Sequence, residues 1–285
     1  MENLLISLES TSDLPEDIIK KYNLKVIDMD YIVGDQEYST KNSTPSTSGL
    51  YTKMRDGKKT STSQINEMQY EIFFKELLKE NKPILHLAFS SGLSNTYLSA
   101  VNVADKLNEK NENKIYVIDS LSACSGHGLL AVLTSEFAKT AKDIKEVIDF
   151  VEKTKMQLAH SFTVDNLKYL ANGGRIKSSS AFFGNVLNIK PIMKVDEKGH
   201  LIVTSKVISR KKALNTMVDQ FIQNHNKNNT MCYISHANCY IDARTVAKSI
   251  EEKTGIKPLI TDLGPVIGCH SGPGTLAVFY LAEKR

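Results

Sequence analysis

Short apolar runs of strand length recur along this chain, separated by amphipathic stretches long enough to be helices. That alternation restricts the fold more than any other feature. NLLISLE at residues 3–9, PILHLAF at residues 83–89 and KIYVID at residues 114–119 read as buried strands. LPEDIIKKY, TYLSAVNVADKLNEK, GLLAVLTSEFAKTA and DIKEVIDFVEKTK carry helical spacing. Asn66, with Gln69 three residues on, is a capping-box signature ahead of the apolar stripe Ile72, Phe73, Leu77 and Leu78. KVIDMDYIV reads as a further strand, ending at Gly34-Asp35. Asp13 reads as the cap of the helix that Pro15 opens. Strands joined by helices of this length imply an α/β protein with a mostly parallel sheet covered on both faces.

The second half changes character. LAHSFTV is a strand, and DNLKYLANGG a helix that Gly173 closes in a left-handed cap. PIMKV and HLIVTSKV flank Gly199 as a hairpin, so the sheet here is mixed rather than parallel. RKKALNTMVDQFIQNHN and YIDARTVAKSIEEKTG are helices, and MCYISHA, KPLITDL and TLAVFYL strands. We place the division at residue 160, giving an N-terminal α/β domain over 1–160 and a C-terminal α/β domain over 161–285. Residues 39–64, polar and rich in Ser and Thr, read as one long loop.

Composition narrows the function classes. Hydrophobic residues at 41% and charged residues at 24% are ordinary for a globular protein. The net charge of +4 is too small and too evenly spread to favour nucleic acid. No apolar run is long enough to span a bilayer. The opening MENLLISLES is too short and acidic for a secretory signal, and four scattered cysteines read as reduced thiols, so a cytoplasmic location is expected.

Five stretches gather residue types that bind or react. FSSGLSNTY, residues 89–97, follows a buried strand and opens a helix, bringing Ser90, Ser91, Ser94 and Thr96 to free helix N–H groups that suit a carboxylate or phosphate. Taken singly, these hydroxyls are caps and turn residues. TSTSQ at residues 60–64 is weak alone, and Asp119-Ser120 reads as a sharp strand-to-helix turn. In NGGRI, Arg175 is either an idle surface residue or a bidentate fork for phosphate or carboxylate. In HSGPG, His270 is either a satisfied residue of a tight turn or a ring that faces a pocket and holds an anion. A nucleophile elbow, a phosphate-binding Walker loop and a dinucleotide fingerprint are all absent. Cys232, His236 and Cys239 match no standard zinc spacing, so no metal and no cofactor are expected. His86, His127, His160, His200 and His225 show no ligand spacing and read as core or surface residues.

Taken together, these stretches resemble the DegV family. ESTSDLP at residues 9–15, TSQ at 62–64, SSGLSNTY at 90–97, VIDS at 117–120, GGRI at 173–176, IKPI at 189–192 and HSGPG at 270–274 run in the family's order across the chain. Three positions depart from its pattern: Glu9 for Asp, Ile65 for Pro and Asn95 for Gly. Asn95 bears on how closely a head group approaches the backbone, whereas Glu9 and Ile65 read as remote from ligand chemistry. The resemblance implies a non-enzymatic carrier of a long-chain fatty acid, with the acyl chain in a tunnel between two α/β domains; the alternatives are an independent small-molecule kinase or hydrolase on a similar fold and a lipid sensor without a kinase partner. It implies that Thr62, Ser94 and His270 meet the carboxylate, with Ser63 and the Asn95 amide nearby and Arg175 toward the partner-facing side. The implied partner is a bacterial fatty acid kinase, which phosphorylates the carboxylate for phospholipid synthesis; transient contact with a membrane surface is compatible with that cargo.

Overall fold

The structure, a computed structural model, describes residues 3–42, 47–112, 114–176 and 188–283. In chain order the elements of the first half are β1 (Leu5–Glu9), α1 (Glu16–Lys21), β2 (Lys25–Ile27), β3 (Asp30–Val33), β4 (Gln36–Ser39), α2 (Thr47–Arg55), β5 (Thr60–Thr62), α3 (Glu67–Leu78), β6 (Ile84–Ala88), α4 (Thr96–Asn108), β7 (Ile115–Asp119), α5 (Cys124–Ala138) and α6 (Ile144–Lys155). The second half adds β8 (Leu158–Thr163), α7 (Lys168–Asn172), β9 (Ile189–Val195), β10 (Leu201–Ile208), α8 (Arg210–Asn224), β11 (Cys232–His236), α9 (Tyr240–Thr254), β12 (Leu259–Asp262), α10 (Pro265–Ser271) and β13 (Leu276–Leu281). Strands β2-β1-β6-β7 form a wholly parallel sheet. Strands β10-β9-β8-β13-β11-β12 form a mixed sheet in which only β11 and β12 run parallel. The short β4-β3-β5 sheet is antiparallel. This is the two-domain α/β arrangement expected from the alternating pattern. Residue 160 falls inside β8, which pairs with β13 from Leu158 to Thr163.

Helix α5 joins the two larger sheets. It is apolar on nearly every face, with Leu129, Leu130, Ala131 and Val132 all buried. A helix with no polar face belongs between layers, and α5 packs on β1 to one side and on β8, β11 and β13 to the other. The surface helix α3 begins as its sequence predicts. Asn66 accepts from the Gln69 N–H at 3.0 Å while Gln69 Oε1 accepts from the Asn66 N–H at 2.9 Å, completing the expected capping box.

Several local expectations are corrected. KVIDMDYIV is not one strand: it breaks at Asp28-Met29, and β2 and β3 belong to different sheets. Asp28 is drawn to the Thr40 hydroxyl and the Met29 N–H to Ser10, which turns the chain out of the parallel sheet. The polar stretch 39–64 is not one loop but holds α2 and β5, with residues 43–46 lying outside the described residues. Leu50, Tyr51 and Met54 bury one face of α2 although its composition is polar. Asp13 does not cap α1; Pro15 occupies that position and Asp13 turns inward with φ 49°. Gly174, not Gly173, carries the left-handed turn after α7.

At the end of β1 a buried polar cluster ties the parallel sheet together. Tyr70 donates its hydroxyl to Glu9 Oε1 at 2.6 Å, the Phe89 N–H donates to Oε2 at 2.9 Å, and His86 Nε2 lies 3.3 Å from Oε1. Burial opposes ionisation of Glu9, but His86, His127 and the hydrogen bonds outweigh it and hold the carboxyl below its usual range. A depressed folded-state value makes this contribution complete above the ordinary carboxyl range and lost as the pH falls. Glu9→Ala should therefore cost about 3–5 kcal/mol near neutral pH, because it strands the buried partners. Urea unfolding of the two proteins measures this, and the difference should shrink on acidification.

Candidate ligand-binding site

A pocket of about 750 Å³, its open mouth included, lies between the α5 and α10 ends and one face of the mixed sheet. Side chains alternate across a strand, so Thr275, Ala277 and Phe279 of the β13 region and His160 and Phe162 of β8 share the floor. Val195 and Leu201 extend that floor through the β9–β10 hairpin, while Phe89, Leu93, Leu263, Val266 and Ile267 close the other sides. The wall is overwhelmingly apolar, and Thr62, Ser94, Arg175 and His270 are among its few polar groups.

The wall around His270 is built on α10. Pro265 sits in the first turn, where its fixed φ suits a helix, and Gly272 at φ 80° ends it. His270 and Ser271 thus finish a helix rather than belonging to the tight turn that HSGPG suggested. Strand β5 holds this helix from the N-terminal half. Thr60 donates to the Cys269 carbonyl at 2.9 Å, and Thr62 Oγ1 meets His270 Nε2 at 2.8 Å. Gly173 packs so tightly on His270 Nδ1 that a Cβ there would collide with the ring. Burial, reinforced by the nearby Arg175 charge, pushes the His270 imidazole down to about 4. It is therefore neutral at physiological pH and can donate from one nitrogen and accept at the other.

Arg175 is half-buried on the pocket wall. Its guanidinium donates to the Leu93 and Gly173 carbonyls, and it has no carboxylate partner among the described residues. Ser271 Oγ is buried without a hydrogen-bond partner among the described residues. Ser94 Oγ lies 2.8 Å from Thr96 Oγ1 and accepts from the Thr96 N–H at 3.2 Å, a local turn bond just ahead of α4, while lining the pocket. The arrangement offers hydroxyls, a neutral imidazole and one uncompensated cation at the end of an apolar pocket. Such a combination suits an anionic head on an apolar body.

The structure brings Thr62, Ser94, Arg175 and His270 to one pocket. Ser63 and Asn95 are beside that group but not on its wall: the Ser63 N–H donates to Asp30, and Asn95 is exposed at the start of α4 without a side-chain cap bond. Ser271 and Thr275 join the wall without having been singled out, although Ser271 stands inside the quoted HSGPG. His160 also lines the pocket, yet Ser122 Oγ at 2.6 Å and the Leu158 carbonyl at 3.1 Å engage both ring nitrogens. Asp119 accepts from the Ser91 and Leu121 N–H groups, which matches its reading as a turn residue. Among the described residues no group of three or more His, Cys, Asp or Glu side chains is placed to hold a metal ion.

Fold and site together define a two-domain α/β protein with an apolar pocket closed by a hydroxyl-and-imidazole end. The chain belongs to the DegV family: the family model described as "Uncharacterised protein, DegV family" matches residues 3–283. A DegV domain-containing protein of Clostridium perfringens is 37% identical over 289 residues, spanning 100% of this chain and 99% of that protein. Among solved structures, a DegV family protein from Thermus thermophilus described for its fatty acid binding superposes with a TM-score of 0.87 at 23% identity, covering 98% of this chain and 99% of that one. The DegV family protein of Ruminococcus gnavus, refined with vaccenic acid, gives a TM-score of 0.87 at 23% identity, with 97% and 99% covered. At that identity the likeness to the two structures establishes the fold.

The electrostatics of the polar end can be checked without ligand. His270 should titrate near 4, and Arg175→Gln should move it back toward the ordinary value of 6.5 by removing the nearby charge. Histidine-ring NMR across an acid titration reads both values. The depressed folded value also means that stability held above 6.5 is lost as the pH falls toward about 4.

Proposed function

We propose that this protein binds a long-chain fatty acid, with the acyl chain in the apolar pocket and the carboxylate at Thr62, Ser94 and His270. The observation that carries this reading is the half-buried Arg175, without a carboxylate partner among the described residues, beside a neutral His270 at the end of an otherwise apolar pocket. Magnitudes favour an amphiphile over a small anion. About fourteen methylenes contribute on the order of 11 kcal/mol gross on burial, before ordering costs. A carboxylate taken from water without donors loses several kcal/mol, which these donors offset. The fatty acid binding named for the Thermus thermophilus protein and the vaccenic acid named for the Ruminococcus gnavus one agree with this choice of ligand.

The protein then acts as a carrier rather than an enzyme. It presents the carboxylate to a partner fatty acid kinase, and the acyl phosphate moves on to phospholipid synthesis. In that step Arg175 faces the incoming phosphoryl group with a planar fork suited to its oxygens. Ser63 follows Thr62 at the end of β5 and Asn95 follows Ser94 at the start of α4, close to the proposed carboxylate position. The protein works inside the cytoplasm; no described helix is long and apolar enough to cross a membrane.

Native mass spectrometry of the purified protein should show a mass increment equal to a free long-chain acid. Recovery of apo protein alone, with no binding of added oleate or palmitate, would overturn the reading. Removing one donor by Thr62→Ala, Ser94→Ala or His270→Ala should cost roughly 1.5–3 kcal/mol of ligand affinity, read by titration with a fluorescent fatty acid. With a fatty acid kinase, ATP and Mg²⁺, Arg175→Ala should slow acyl-phosphate formation more than it weakens lipid binding. Equal turnover by wild type and variant would remove Arg175 from the phosphoryl step.

A further inference from the structure

Asp13, in the STSDLP stretch, is not used by the head-group site, yet its conformation is costly. It is a non-glycine residue at φ 49°, and although the residue as a whole is only half-buried, its Oδ2 is sealed from solvent without a hydrogen-bond partner among the described residues. The Cys124 thiol and the Gly264 backbone lie against its carboxyl. Both partners matter. Cys124, itself at φ 55°, opens α5 and lines the pocket, and Gly264 is the cap of α10. Asp13 Oδ1 presses on Gly264 closely enough that a Cβ there would collide with it. One turn and a half further along, the same short helix ends in His270 and Ser271.

We propose that Asp13 is a positioning residue for the ligand site, seating the start of α10 and so setting where His270 and Ser271 stand in the pocket. The inference rests on the fatty-acid reading for its consequence but not for its geometry. Helix α10 is held from the N-terminal half at both ends. Asp13 and Tyr51, which donates to the Leu263 carbonyl at 2.7 Å, fix its start; Thr60 and Thr62 fix its finish. Shifting the start of a seven-residue helix moves its last turn as well.

The seat also responds to protons. Burial pushes the Asp13 carboxyl up to about 7, with nearby Asp262 adding to the rise and the Cys124 thiol and Gly264 backbone opposing it. The folded protein therefore favours the neutral acid, and the stability this gives is lost as the pH rises from the ordinary carboxyl range through about 7. Buried thiols and a phenol facing Asp13 do not share that window. Cys124 on α5 and Tyr51 on α2 are both pushed upward by burial, as is Cys269 on α10, to about 12. Asp262 at the end of β12 is exposed, and the His236 beside it is pushed down by burial.

His270 itself titrates near 4, so a neutral-pH change at its ring reports Asp13 rather than its own proton. The test follows the His270 ring resonances of the ligand-free protein from about pH 6 to about pH 8.5, in wild type and in Asp13→Asn, which tolerates the left-handed backbone and stays neutral. The wild type should show an inflection near 7 that Asp13→Asn lacks. A featureless wild-type profile, or the same inflection in both, would overturn the proposal. In parallel, Gly264→Ala should weaken fluorescent fatty acid binding about tenfold or more with its far-UV spectrum unchanged; wild-type affinity in a folded Gly264→Ala would count against the seat. If wild type binds no fatty acid while the inflection still depends on Asp13, the positioning stands and the ligand reading fails.

Discussion

The contact between Thr62 and His270 is the interaction on which the site depends. It is a single hydrogen bond of 2.8 Å, but it joins residues 208 positions apart in sequence. One partner comes from a three-residue edge strand and the other from the last turn of a seven-residue helix. Neither element is stable alone, since short helices and isolated strand pairs are marginal in water. Each is fixed by the other's neighbours. Tyr31 and Val33 pair with β5 from beneath, and Tyr51 holds the carbonyl just before α10. The polar end of the pocket is thus a joint between the two halves of the chain, and its geometry is as rigid as that joint.

This joint explains why legibility in the sequence was uneven. The buried strands β1, β6, β7 and β13 could be read directly, because each is a continuous apolar run between punctuating residues. Asn66 and Gln69 announced α3 because their chemistry is local. Helix α2 was hidden: STSGLYTKMR looks solvated, and only tertiary contact reveals that Leu50 and Tyr51 are sealed. Helix α10 was hidden for a different reason. It is short, it contains Gly268, and it runs into Gly272, so HSGPG looked like a turn throughout. Motif resemblance, not periodicity, points to Thr62, Ser94, Arg175 and His270, which line one pocket. Ser271 was in view but lacked a signal, because an unpartnered hydroxyl is a property of packing.

Glu9 marks the limit of motif reasoning from the other direction. Its departure from the family's Asp suggested a position remote from the ligand, and indeed its carboxylate does not line the pocket. Yet it binds the N–H of Phe89, which does, and it draws Tyr70 and His86 into the same buried cluster. The loop that carries Ser90, Leu93 and Ser94 therefore leaves β6 from a fixed point. Motif residues that look interchangeable by charge can still set the origin of a functional loop.

The charge pattern of the pocket end carries the final step. A buried carboxylate needs compensation, and a protonated imidazole would supply it strongly. His270 is instead pushed toward neutrality by burial and by Arg175. A neutral ring supports a head group through hydrogen bonding without adding a second buried charge, which would itself be costly to desolvate. It leaves the guanidinium as the lasting positive charge at that end, and Arg175 is held there by carbonyls rather than by an acid. On the proposed reading, such a site holds the anion with one permanent positive charge and neutral donors. A site built from several cations would clamp both oxygens and hold the head group too firmly to hand over. On the proposed reading, that moderation suits a carrier, whose cargo must be bound securely by its chain and released or modified at its head.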